Sequence, residues 1–405
     1  MPDHSIWDHL DLTSAFAGAF AADPKGEAAL LAVSLGPVQS FIASARSTSD
    51  LWAGSHLLSR LAWEAMRPVC ESLGPDAILF PRLRGVPQVD LWLRDVCGLP
   101  GDFFKDCGWS KGSTDANPLF SAALPNRFVA VVPASQAKTL AEQVSLTVRT
   151  WLQNKGREVV DLLLTVAGLA NGKEQYCHDQ MRKQLEGFPE VHWAAVPFSL
   201  IQPRNLAKQT DLNVTALSEA MAPYFGAEAG QPCGFLATPA WQALQQEARL
   251  ADGTVFFAPN PGVLYPAVHD LAERVLAAAK TVRTFVQTEE TGWRCSLTGE
   301  TEWITNDPEQ LKKSYRQQTD TLWAKVSKEK PSWAKRAKKG EHLGALPALK
   351  RLWPTLFASE VGIALNQNID RFVVSTHTMA LAHQLDQWLE RGGLTAEGLT
   401  VLRAN

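Results

Sequence analysis

Groups able to handle a phosphate, a metal or a proton are sparse and scattered along this 405-residue sequence. His178-Asp179 and His269-Asp270 are HD dipeptides, the kind of pair that anchors a metal-dependent phosphohydrolase site. Such a site also needs an upstream His and a distant Asp, so that several ligands converge on one or two metals. Nothing at suitable spacing accompanies either pair, and a chain with 9 His holds two such dipeptides by chance. Asp3, His4, Asp8 and His9 form two Asp-His pairs about one helical turn apart, a spacing that could set both imidazoles on one face. Two His alone do not close a catalytic metal site, so ordinary polar residues at a frayed terminus are the competing account. Cys295 lies in Trp293-Arg294-Cys295-Ser296-Leu297-Thr298-Gly299-Glu300, where a zinc knuckle would want a second Cys at position 298. Thr298 supplies no thiolate. A buried free thiol and no bound metal are therefore expected, unless Cys177 and Cys233 converge on the site. Phosphoryl transfer by a polymerase-like palm needs neighbouring carboxylates for two Mg²⁺ ions, and the sequence has no Asp-Asp pair. Neither a Gly-x-Ser-x-Gly elbow nor an H-E-x-x-H occurs. No catalytic residues are assigned.

Two features fit binding better than catalysis. Gly36-Pro37-Val38-Gln39 joins a strand to a helix and could leave backbone N–H groups free for a phosphate, although one glycine makes neither a P-loop nor a dinucleotide fingerprint. The stretch Lys325 to Lys339, KVSKEKPSWAKRAKK, is strongly basic, with Trp323 and Trp333 interleaved and Trp353 following Lys350-Arg351. Cations neutralise phosphates and indole faces stack on bases, as a single-stranded RNA contact requires. The alternative is a solvated loop with its tryptophans docked in the core.

The elements that must position these residues are read from apolar periodicity. Ala28 to Leu35 is a short apolar run stopped by Gly36-Pro37, a buried strand. Val38, Phe41, Ile42 and Ala45 then fall at helical spacing, and a second helix follows Asp50. Asp76 to Phe80, Val89 to Leu93, and Asn126 to Val132 read as strand pieces. A long helix runs from Pro133 and Ser135 to Leu162-Leu163-Leu164, and His192 to Pro197 is again strand-like. This order predicts an α+β fold: a ferredoxin-like, palm or nucleotidyl-cyclase-like domain with an antiparallel sheet and helices on one face. Beyond about Pro203 the character changes to helices joined by Gly/Pro loops. The expected division is 1–27 as a leading piece, 28–205 as the ferredoxin-like domain and 206–405 as a mainly helical domain.

A composition of 45% hydrophobic and 20% charged residues is globular, and a net charge of −3 gives no global pull towards polyanions. Six cysteines lie far apart with no C-x-x-C pair, so reduced thiols are expected. With no signal-peptide pattern and no long uncharged apolar run, the expectation is a cytoplasmic protein without membrane contact.

The segment Leu35-Gly36-Pro37-Val38-Gln39-Ser40-Phe41-Ile42, continuing through Ala45-Arg46 to Asp50-Leu51-Trp52-Ala53-Gly54-Ser55, resembles the first palm domain in the large subunit of type III-B (Cmr) CRISPR complexes. Gly74-Pro75-Asp76, Leu79-Phe80-Pro81, Val89-Asp90-Leu91-Trp92, Leu124 to Phe128 and His192 to Ala195 agree in order. Cys295 to Glu300 resembles that family's knuckle with one Cys lost, and Ser375 to Ala380 the run before its second palm. The resemblance implies a subunit of an RNA-guided antiviral complex that scaffolds near the crRNA 5′ end, with other Cmr subunits, crRNA and target RNA as partners. Pro2 to Ala15 resembles only the trailing edge of the family's HD nuclease domain, and the Gly-Gly-Asp-Asp turn of its second palm is not found. Activity by this chain alone is accordingly not expected. The alternative is the ATP-binding half of a split cyclic-oligoadenylate synthase, completed by a second chain with Gly-Gly-Asp-Asp and Mg²⁺. The family's first palm faces ATP, which makes Gly36, Gln39 and Ser55 the candidate nucleotide contacts. Lys335, Arg336, Lys338 and Lys339 are the candidate RNA contacts.

Overall fold

The computed structural model describes residues 5–205, 208–282, 289–314, 317, 319–334, 340–370, 376–393 and 395. Helix α1 (Ile6–Ala22) precedes strand β1 (Ala28–Gly36), short helix α2 (Gln39–Ala43) and long helix α3 (Thr48–Leu73). Strand β2 (Ile78–Phe80), helix α4 (Pro87–Asp95), strand β3 (Arg127–Pro133), helices α5 (Ala137–Val166) and α6 (Tyr176–Leu185), and strand β4 (Glu190–Pro197) follow. The four strands form one sheet in the order β2-β3-β1-β4, with every neighbouring pair antiparallel. This is the ferredoxin-like order expected from the sequence.

Two corrections concern this region. Val89 to Leu93, read as a strand piece, lies within α4, where Pro87 occupies the first turn and Val89 and Trp92 are buried one helical turn apart. Helices also cover both faces of the sheet rather than one. Leu31, Val33 and Leu35 of β1 pack with α3 and α5, whereas Leu30 and Ala32 pack with elements from beyond residue 200. Burial on both faces is why β1 and β3 read as unbroken apolar runs instead of alternating.

The remaining elements are the hairpins β5 (Gln202–Asn205)/β6 (Lys208–Asn213) and β7 (Ala248–Arg249)/β8 (Val255–Phe257), with helices α7 (Thr215–Phe225), α8 (Pro239–Leu244), α9 (Tyr265–Thr281), α10 (Leu322–Glu329), α11 (Pro331–Ala334), α12 (Ala345–Leu365) and α13 (Thr376–Glu390). Helices α7 and α9 belong to the core behind Leu30 and Ala32. Helices α10 and α12 belong to the core shared by α3 and α5. Residues expected to form a mainly helical domain of their own thus complete both cores of the sheet.

The terminus is not frayed at Asp8. Ser5 caps α1: its hydroxyl accepts from Asp8 N at 3.2 Å, and the Asp8 carboxylate accepts from Ser5 N at 2.8 Å. Asp8 also pairs with Arg82. Asp3 and His4 lie outside the described residues. No helix among the described residues is long and apolar enough to cross a membrane.

Candidate functional site

The strand-to-helix turn after β1 was the first candidate ligand contact. Gly36 is half-buried and sits opposite Glu190 in the β1–β4 register. Gln39 is exposed as the first residue of α2, and Ser55 is half-buried in α3. With five residues, α2 is little more than one turn, so few aligned peptide dipoles back a phosphate at its start. A pocket of about 190 Å³ lies beside α2, walled by Pro37, Ser40, Ser44, Thr298 and Lys350, but Gly36, Gln39 and Ser55 do not line it.

Behind that turn sits a charge network that sequence reasoning missed. Arg351, on α12, is held by Asp50 on α3 at 2.8 and 3.2 Å and by Glu341, all three being buried. Burial acts to raise the Asp50 pKa, but the hydrogen bond and charge of Arg351, together with hydrogen bonds from Arg46 N and Ser47, outweigh it and hold the carboxyl below its ordinary value. Arg46 bonds Glu341 at 3.1 Å and the Ser296 carbonyl at 2.8 Å. Lys350 donates to the carbonyls of Phe41 at 2.5 Å, Ser44 at 2.7 Å and Ile42 at 3.3 Å. Its ammonium thereby closes the C-terminal end of α2, while burial pulls its pKa down to about 8. A Cβ on Gly54 would lie 3.2 Å from Lys350 Cε and 3.3 Å from Ile42 Cα. Glycine at 54 is what lets α2 and the lysine approach α3 so closely. The signal for all this was legible: adjacent cations inside the apolar stretch of α12 require buried partners.

Next to the network, His56 donates from Nε2 to the Leu119 carbonyl at 3.0 Å and accepts at Nδ1 from Trp353 Nε1 at 2.9 Å. Burial drives its pKa down to about 4, so the ring is neutral. Trp323 is buried and donates to the Ile304 carbonyl at 3.0 Å, and Trp333 is half-buried against the same core. The tryptophans of the basic stretch are therefore docked inside, and Lys350-Arg351 are internal cations, not surface ones. Lys335, Arg336, Lys338 and Lys339 lie outside the described residues.

The loop at Cys295 keeps a knuckle-like turn held by protein groups. Cys295 N donates to the Thr301 carbonyl at 2.7 Å, Gly299 N to the Cys295 carbonyl at 2.9 Å, and Leu297 N to the thiol at 3.4 Å. Cys295 is buried with a free thiol, Cys177 shares its core, and Cys233 belongs to the core on the other side of the sheet. His178 bonds Asp161 and the Gln175 backbone, tying α6 to α5. The second HD pair also goes to packing, His269 lying against Glu273 on α9 at 3.9 Å. Among the described residues, no three His, Cys, Asp or Glu side chains gather as a metal site.

Residues 30–161, which span the sheet from β1 to β3 and its helices α3 and α5, match the family described as CRISPR-associated protein Cmr2, N-terminal. Over this segment, about a third of its length, the chain is similar to the Cmr2 family. A CRISPR system Cmr subunit Cmr2 from Pyrococcus furiosus is 36% identical over 160 residues, covering 40% of this chain and 16% of that protein. A CMR subunit Cmr2 from Saccharolobus solfataricus is 39% identical over 84 residues, 20% of this chain and 8% of that one. A chain of the type III-B Cmr-beta complex in its apo state has the same fold, with a TM-score of 0.53 at 17% identity over 97% of this chain and 39% of its own length. The chain thus matches less than a fifth of the curated Cmr2 relatives. Most of the motifs that carry the resemblance, from Leu35 to Phe128, lie inside the matched Cmr2 domain.

Proposed function

We propose that the chain is a subunit of a type III-B Cmr effector complex, acting as a protein scaffold near the crRNA 5′ end. Its partners in this reading are other Cmr subunits, crRNA and target RNA, in the cytoplasm. The supporting observation is the coincidence of the Cmr2 N-terminal match with three of the four strands of the ferredoxin-like sheet, on a chain whose fold follows a Cmr-beta chain over nearly its whole length. The charge network fits a scaffold: Asp50, the one carboxylate of the Arg46–Ser55 segment, is spent with Glu341 on Arg351, and Lys350 holds the end of α2, so that α2 and α3 are locked against α12. Phosphate contacts are assigned to Lys335, Arg336, Lys338 and Lys339.

The test is reconstitution with the other Cmr subunits and a guide RNA, read by gel filtration and by RNA affinity across a salt series. The chain is expected to co-elute with the guide-bound assembly. Neutralising the four cations should lower RNA affinity and flatten the log–log salt slope by roughly 0.7 per lost contact, the single-strand value. Failure to co-elute, or a slope indifferent to the four changes, would defeat the reading. Gly36, Gln39 and Ser55 are assigned to ATP only when a second palm is present, because half a cleft buries too little of a nucleotide. ATP binding to a pair with a Gly-Gly-Asp-Asp chain, with Mg²⁺ and abolished by Ser55→Trp, would instead favour the split synthase.

A further inference from the structure

A cavity of about 910 Å³ lies away from the network, at the β2 edge of the sheet. Strand β2 pairs only with β3, and Ile78 and Leu79 line the cavity. One wall is α1, which presents Asp8, Leu12, Phe16 and Phe20 at four-residue spacing, a single stripe of the helix. Leu12 and Phe20 are 43% and 45% exposed there, more than their packing in a closed core would leave. The opposite wall is Val89 and Leu93 of α4.

The charge of the lining decides what fits. Five carboxylates, Asp8, Asp11, Glu27, Asp76 and Asp90, face two guanidinium groups, Arg82 and Arg84. The arginines are already matched, Arg82 by Asp8 and Arg84 by Asp11 at 2.6 Å. Among the described residues no cation is recorded against Glu27, Asp76 or Asp90, and burial holds the Asp90 carboxyl above its ordinary pKa. An acidic surplus repels nucleic acid and attracts a cation. A strand at the edge of a sheet between two apolar helices is the geometry that accepts an extended chain, backbone to backbone, with alternate side chains entering the groove, and here the Ile78 N–H is already taken by the Pro75 carbonyl.

We propose that this cleft receives an extended peptide segment from a partner protein, with apolar residues at alternate positions and Lys or Arg between them, added as a fifth strand beside β2. Because β2 is only three residues long, most of the affinity comes from apolar side chains seated between α1 and α4, and the backbone bonds set direction and register. The cations lie towards Glu27, Asp76 and Asp90.

The intact chain is titrated with acetylated nine-residue peptides alternating Val, Leu or Phe with Lys, read by fluorescence anisotropy and by hydrogen exchange. Expected are saturable binding and slowed exchange at Leu79 and Phe80. N-methylation of alternate peptide amides should weaken binding at least tenfold, as should Phe20→Asp. Asp76→Lys should shift preference towards the same peptides with Glu in place of Lys. Since the methylated peptides leave the protein untouched, that arm holds even if a variant folds poorly. No binding by any peptide, binding indifferent to methylation, or protection away from β2 would overturn the proposal.

Discussion

Arg351 sets the residue-scale balance, because one guanidinium answers two buried carboxylates. Removing one partner of a buried ion group strands the others in a poorly solvating interior. Arg351→Met is therefore expected to destabilise the fold by about 3–5 kcal/mol, measured by denaturant unfolding. Adding Asp50→Asn and Glu341→Gln should restore much of that loss, since neither buried carboxylate is then left without its guanidinium. His56 and His342 make a second prediction. Burial lowers both pKa values from 6.5 to about 4. Because folded rings bind protons less readily than unfolded ones, stability is complete above about pH 6.5 and falls as pH drops towards 4. Each ring contributes up to about 3 kcal/mol to that fall. Thermal melts between pH 7 and 4 check this, and His56→Gln should make the curve shallower.

At the scale of elements, close approach explains more than periodicity does. Helices α5 and α6 meet at Gly156, where a Cβ would lie 2.6 Å from Leu185 Cδ1 and 2.9 Å from Met181 Cγ. Gly156→Ala favours an isolated helix but overpacks this contact. A net loss of roughly 1–3 kcal/mol is expected, read as a lower urea midpoint at unchanged slope. Most elements were legible: β1, β3, β4, α3 and α5 follow their apolar patterns closely. Val89 to Leu93 was not, because five residues with apolar positions 89, 91 and 93 suit a strand as well as a helix. Pro87 at the helix start resolves the ambiguity once the neighbouring core is known. The uninterrupted apolar runs of β1 and β3 already signalled a sheet covered on both faces.

For the molecule as a whole, Leu322, Trp323, Leu349, Trp353 and Phe357 share one core with β1, α3 and α5. A fragment ending at residue 205 would leave that surface open to water. It is expected to melt without a cooperative transition and to bind a hydrophobic dye, whereas the chain through residue 365 should melt cooperatively. A sharp transition in the shorter fragment would show that the ferredoxin-like domain is self-sufficient. The sequence by itself determined the α+β class and the ferredoxin-like layout and carried the likeness to the Cmr2 N-terminal domain, because short-range apolar spacing and the Leu35–Ser55 motif are local properties of the chain. It also marked Cys295 as a buried thiol and gave the tryptophans a docked alternative. Only the tertiary structure decided that Lys350 and Arg351 face inward, that Asp50 is spent on an ion pair, and that an acidic cleft opens beside β2. The first two depend on side chains about 300 positions apart meeting in a dry interior, where partner and burial, not residue type, fix what a charge can do.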